Sequence, residues 1–298
     1  MVRRHLCLVG LVALAALCFR HALTVVIGSS VSVDRYSHIL MVVPVSAALL
    51  YLEHKRILAR VAYSFMGGLL YVAGLGAAAV LAHYSGSIEP SNYLSLCILL
   101  FAACCIAAFW FCYGSAAFRA ATFPLLFLLL MAPMPDWMLD RTIAFLQNGS
   151  ALVADWFFTV AGVPFSREGV VISLPTVIIE VAQECSGIRS SMILFLSSLV
   201  LAQLFLKSPW SRLTAVLLMV PMTIFKNGLR IFTLAFLGTR VDPSFLTGRL
   251  HHQGGIVFFA ISFVLMWGLV WALQKWEARA ATAGEHPPSG RASTARSF

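Results

Sequence analysis

Three polar residues interrupt an apolar C-terminal half in ways that could do chemistry. They are Cys185 in Glu184-Cys185-Ser186-Gly187-Ile188-Arg189, Arg230 in Lys226-Asn227-Gly228-Leu229-Arg230, and His251 in His251-His252-Gln253-Gly254-Gly255. A thiol, a guanidinium and an imidazole are a nucleophile, an electrostatic stabiliser and a proton shuttle, a sufficient kit for acyl transfer through a thioester. Cys185 stands at the entrance to an apolar run that begins near Ile188. The N–H groups and dipole of a helix N-terminus stabilise an anion there, and they bring a thiol from its usual ~8.5 toward populated thiolate. Arg189 adds positive potential one turn along. The plain alternative is a free cysteine that caps or packs at a helix end.

Arg230 has about seven residues of apolar helix beyond it, which puts it roughly 10 Å below the end of its span. An arginine at that depth faces a polar cavity, pairs, or snorkels. Lys226 and Asn227 lie four and three residues earlier and share or flank its face, which favours a polar cavity. His251 and His252 open the last span, where the helix N-terminus keeps an imidazole neutral and able to accept a proton. A helix cap or an interfacial anchor is the competing use. Gly254-Gly255 permits close approach of a backbone or a substrate.

The elements that must position these groups are membrane helices. The 298 residues are 60% hydrophobic and 11% charged, with mean hydropathy +0.88; soluble domains run nearer half apolar and about a quarter charged. The net charge of +9 is no nucleic-acid face, because the basic residues fall in short clusters between apolar runs, as topology signals do. Apolar stretches of roughly 20 residues occur at about 6–27, 38–52, 61–83, 93–113, 118–134, 188–206, 213–237 and 251–274. The expected fold is therefore an all-α integral membrane protein of about eight transmembrane helices. Arg3-Arg4, Lys55-Arg56 with Arg60, Arg119, Lys207 with Arg212, and Lys275 with Arg279 all fall inside if both ends are cytoplasmic. That topology puts Cys185, Arg230 and His251 at one outer face, on three consecutive spans.

The long outer segment between the fifth and sixth spans has its own structure. Asp136–Val163 carries Trp137, Ile143, Leu146, Val153, Trp156 and Val160 at helical spacing among polar residues, which predicts an interfacial amphipathic helix. A further crossing helix is the alternative. From Glu168 the text turns β-branched and is broken at Leu174-Pro175-Thr176, which predicts a small extracytoplasmic β-hairpin leading into Glu184-Cys185. The membrane domain is expected over 1–277, with a disordered cytoplasmic tail at 278–298. Six of the seven cysteines lie inside apolar runs without CxxC spacing and read as packing residues. No metal-ligand set, phosphate loop or cofactor motif is present, so no metal and no cofactor are expected.

Together, Glu184-Cys185-Ser186-Gly187-Ile188-Arg189-Ser190, Asn227-Gly228-Leu229-Arg230-Ile231 and His251 followed by Gly254-Gly255 resemble the exosortase/archaeosortase family of membrane transpeptidases. The likeness is specific over about residues 165–260. It implies an enzyme of the cell inner membrane, its active site facing outward, that acts on exported proteins. Their C-terminal sorting signal has a short motif such as Pro-Glu-Pro, a transmembrane helix and a basic tail. On this resemblance Cys185, Arg230 and His251 are catalytic, with Arg189, Ser186, Asn227 and His252 supporting. His251 is preferred to His252 because the family pattern has His, two residues, then Gly-Gly. Partners are the sorting-signal helix, an acceptor that the sequence does not identify, the lipid bilayer, and an accessory protein in trans in place of the soluble domain some members carry. A transporter is disfavoured by the absence of internal symmetry, and a non-catalytic assembly factor by the intact Cys, Arg and His.

Overall fold

A computed structural model describes residues 1–33, 36–175, 177–181, 188–242 and 255–284. The fold is that of an all-α integral membrane protein with one small sheet. The chain divides into two compact units, Met1–Ala144 and Phe145–Phe298.

The first unit contains α1 (Val2–Cys18), α2 (Arg20–Ser32), α3 (Ile39–Leu52), α4 (His54–Ile57), α5 (Phe65–His83), α6 (Pro90–Ala120), α7 (Thr122–Phe127) and the start of α8 (Asp136–Val160). Two expected spans are not single straight helices. The first breaks at Phe19 and bends by 81°, next to the Arg20 that a straight span would carry into lipid. The fifth is split: α6 runs on to Ala120, α7 is six residues long, and a 3₁₀ turn follows at Leu128–Met131. Inside α6, Gly114 has φ 84°, and a Cβ there would meet the Ala62 carbonyl at 2.6 Å; glycine is needed both for the conformation and for the contact. Cys97, Cys104 and Cys112 are buried in this unit and carry no disulfide, as packing cysteines would.

The second unit holds the rest of α8, strands β1 (Ser166–Glu168), β2 (Val171–Ser173) and β3 (Ile178–Glu180), and helices α9 (Ile188–Phe205), α10 (Pro209–Arg240) and α11 (Gly255–Gly284). Five described helices are long and apolar enough to cross a membrane, and two bent pairs bring the number to seven when each is counted as one span. Helix α3, at 14 residues, falls short of the roughly 20 that a straight span needs. Helix α11 continues to Gly284, past Ala278, where the tail was expected to begin.

From Phe145 on, helix α8 buries Leu146, Ser150, Ala151, Ala154 and Phe158 on one stripe, while Leu152, Trp156 and Val160 are exposed. Apolar residues thus lie on its exposed side, beside Asn148 and Thr159, as well as on its buried stripe. It ends where Gly162 adopts φ 64° and the Val163 N–H returns to the Phe158 carbonyl at 3.1 Å, a Schellman cap.

Among the described residues the sheet has three strands rather than the expected two, in the order β1-β2-β3, all antiparallel. Ser173 pairs with both Ser166 and Ile178. The extra strand, Ser-Arg-Glu, has none of the β-branched residues that mark a strand. It is held by a Gly169 turn with φ 61° and by Arg167 Nε donating to Asp155 Oδ2 of α8 at 2.8 Å.

Helix α10 is the spine of this unit. Its first half, through Ala215 and Met219, joins Leu194, Leu201 and Ala202 of α9 with Met266 and Val270 of α11 in one core. Its second half, through Ile231 and Ala235, joins Ala151, Ala154 and Phe158 of α8 with Ile172 and Val181 of the sheet in another. Between these cores lies a buried polar layer on α10: Thr223, Lys226 and Asn227.

Where α9 meets α10, Glu277 of α11 accepts the Lys207 and Ser208 backbone N–H groups at 3.0 and 2.8 Å. An anion at the start of α10 satisfies orphan donors and complements the helix dipole. Arg212 donates to the Leu206 carbonyl and to Gln203, and Gln274 donates to the Phe205 carbonyl. This knot sets α10 and α11 antiparallel.

Candidate active site

Cys185 and Ser186, like His251 and His252, lie outside the described residues. Arg189, Asn227 and Arg230 lie within them. The structure brings Asn227 and Arg230 together and leaves Arg189 on an exposed position, second residue of α9.

Asn227 is fully buried, and its Nδ2 donates to Ser150 Oγ of α8 at 3.0 Å. Close approach makes this bond possible. A Cβ on Gly228 would meet Val153 Cβ at 2.6 Å and the Ser150 carbonyl at 3.0 Å, and one on Gly149 would meet Ile224 Cδ1 at 3.0 Å. Glycines at such a crossing let two membrane helices approach backbone to backbone and present polar groups to each other.

Asn227 and Arg230 line a cavity of about 240 Å³ together with Glu180, Val181 and Leu234. One wall is therefore α10 and the other is β3. Val181 is fixed from two more directions: its carbonyl accepts from Gln147 of α8, and its N–H donates to the Val170 carbonyl at 3.0 Å. The sequence singled out the polar cavity beside Arg230 but not Ser150 or Gln147. Both belong to Gln147-Asn148-Gly149-Ser150, a polar run that does not stand out in a helix that also carries Asp136, Asp140, Arg141 and Asp155.

Lys226 is buried, and its Nζ donates to Ser190 Oγ, the third residue of α9. The sequence placed this lysine on or beside the face of Arg230 but could not give its partner, 36 positions away. One turn of α10 thus stands beside both flanks of the Cys185 segment. Asn227 and Arg230 face Val181, four residues before the cysteine, and Lys226 holds Ser190, five residues after it. A guanidinium and a buried ammonium one turn apart give this turn a strongly positive character, suited to stabilising a developing negative charge.

Among the described residues, no group of three or more His, Cys, Asp or Glu side chains could hold a metal ion. A model of the transmembrane exosortase family matches residues 28–268. No curated protein and no solved structure matches the chain.

Proposed function

The chain belongs to the transmembrane exosortase family, and on that footing we propose that it is a cysteine peptidase or transpeptidase. Its substrates are exported proteins that end in a short motif such as Pro-Glu-Pro, a transmembrane helix and a basic tail. The observation that carries this reading is the single turn of α10, Lys226 to Arg230, which faces Val181 across a cavity on one side of the Cys185 segment and is bonded to Ser190 on the other.

In this reading the Cys185 thiolate attacks the carbonyl carbon of the scissile peptide bond. Negative charge collects on the carbonyl oxygen, where the Arg230 guanidinium stabilises it. The C–N bond breaks as His251, which has taken the Cys185 thiol proton, gives that proton to the departing amine. The peptide stays on sulfur as a thioester. An amine acceptor that attacks this thioester gives transfer, and water gives hydrolysis; either yields its proton to His251, and the thiolate is returned beside a protonated imidazole. Asn227 holds α10 against α8 through Ser150 and so keeps Arg230 in register with the β3 wall. Arg189 and Ser186 flank the nucleophile in sequence, and His252 stands next to the proton donor.

The setting is the inner membrane with the site facing outward. A substrate helix with a cytoplasmic basic tail then stands parallel to the enzyme's spans and presents its motif beside Cys185.

The test is a band-shift assay in cells. A tagged secreted protein ending in Pro-Glu-Pro, an apolar helix and an Arg-rich tail is co-expressed with the wild-type chain or with Cys185→Ala. Shortening by the wild type and none by Cys185→Ala is the expected result. Equal shortening by both removes Cys185 as the nucleophile and overturns the mechanism.

A further inference from the structure

A second cavity, of about 370 Å³, opens between α10 and α11. Leu218, Met222 and Phe225 line it from α10, and Ile261, Leu265 and Leu269 from α11. Lys226 also lines it. Several of these apolar side chains are half-exposed: Leu218 40%, Phe225 45%, Ile261 45% and Leu265 51%. Both walls are helices long and apolar enough to span a membrane, so the groove is open sideways to lipid, and whatever fills it is apolar and membrane-borne.

We propose that this groove seats the transmembrane helix of the exported substrate, an inference that rests on the function proposed above. Three features favour a helix there. The groove is long: its α10 wall runs from Leu218 to Leu229, about 16 Å at the helical rise, roughly half of a ~30 Å hydrocarbon core. It has the room of a row of side chains rather than of a whole helix, which is what packing one helix's ridge into another pair's groove requires. And it leads to the chemistry: its Lys226 lies one turn before Arg230 on α10, and α11 begins four residues after His251. A helix lying in this groove is guided along α10, which carries the proposed oxyanion donor, and along α11, which follows the proposed proton donor in the chain. The cavity beside β3 takes the peptide, and this groove takes the membrane anchor.

The test places a photo-crosslinking amino acid at Leu218 or Leu265, or at the neighbouring, more exposed Leu217 or Val264, in the full-length Cys185→Ala chain. The protein is co-expressed with the tagged sorting-signal substrate, and cleavage by the wild type is measured in parallel. Crosslinks to the substrate's C-terminal segment several-fold stronger from Leu218 and Leu265 than from Leu217 and Val264 are expected. Equal yields, or crosslinks to lipid alone from the groove, overturn the proposal while wild-type cleavage leaves the peptidase standing. Groove crosslinks without wild-type cleavage support the groove and overturn the peptidase; absence of both overturns both. As a second readout, Leu265→Trp, which fills the groove, slows wild-type cleavage several-fold and Val264→Trp does not. Equal rates for the two count against the groove.

Discussion

Arg230 and Lys226 lie one helical turn apart on α10 and share a charge, yet their surroundings predict different outcomes on substitution. Arg230 lines the β3 cavity. As an oxyanion donor, its loss in Arg230→Ala lowers the cleavage rate about 10²–10³-fold, the usual effect of removing one such donor. Arg230→Lys recovers part of that at most, because the ammonium lacks the planar fork of a guanidinium. Lys226 is a positioning residue, tied to Ser190. Lys226→Met keeps the apolar stem and removes a buried charge that no carboxylate among the described residues is shown to neutralise, one that is costly to keep out of water. The detergent-solubilised protein should therefore melt no lower than wild type, while cleavage falls because the start of α9 is no longer held. A drop in melting temperature that accounts for the lost cleavage would make Lys226 structural only. Asn227 and Arg230 were legible in the sequence because a polar residue inside an apolar run is costly and stands out. The pairing of Lys226 with Ser190 was not, since it depends on how two helices meet.

Gly228 and Gly149 test the crossing of α8 and α10 at the level of whole elements. The added Cβ of Gly228→Ala meets the stiff β-branched centre of Val153 at 2.6 Å. The helices must move apart, and overpacking of this kind costs about 1–3 kcal/mol. Gly149→Ala meets Ile224 at Cδ1, Cγ2 and Cγ1, at 3.0, 3.1 and 3.3 Å, contacts that ease with a shift of a few tenths of an ångström, so its cost is smaller. Melting of the two variants in detergent gives the comparison; a Gly149→Ala loss equal to that of Gly228→Ala would refute it. The elements themselves were legible to different degrees. Helices α9, α10 and α11 and strands β2 and β3 followed from apolar runs and β-branched text. Strand β1 did not, because Ser-Arg-Glu becomes a strand only through its partner β2 and the Arg167–Asp155 pair. The break at Phe19 and the splitting of the fifth span were equally hidden, since hydropathy measures apolar length and is blind to direction. On α8 the exposed Trp156 and Val160 are as apolar as the residues the helix buries, so periodicity alone could not say which stripe packs inside.

At the scale of the whole molecule, the membrane class followed from composition alone, and the expected orientation rests on where the basic residues fall. With the N-terminus in the cytoplasm, the turn Ser85–Ser87 between α5 and α6 lies outside, and the Lys55–Arg60 segment lies inside. An alkaline phosphatase fusion after Ser87 should be active and one after Arg60 inactive; the reverse pattern would invert the topology and put the proposed site on the cytoplasmic side. The three residues taken as catalytic sit on different parts of the second unit's chain, and motif order could bring them together on paper. What holds α10 between the two flanks of the Cys185 segment is long-range: Gln147, Ser150, Val181 and Ser190 are contributed by three elements that no local pattern links.

Glu277 carries a consequence for how the protein is made. Its carboxylate closes the start of α10 from positions 70 and 69 residues further along the chain. While the nascent chain is still at the ribosome, α9 and α10 can enter the membrane, but the two N–H groups at their junction have no carboxylate to accept them until α11 has been synthesised and inserted. The arrangement of α9, α10 and α11 is thus completed by the last helix to arrive, and a chain that stops short of it lacks the clasp at the foot of the helix that carries Arg230.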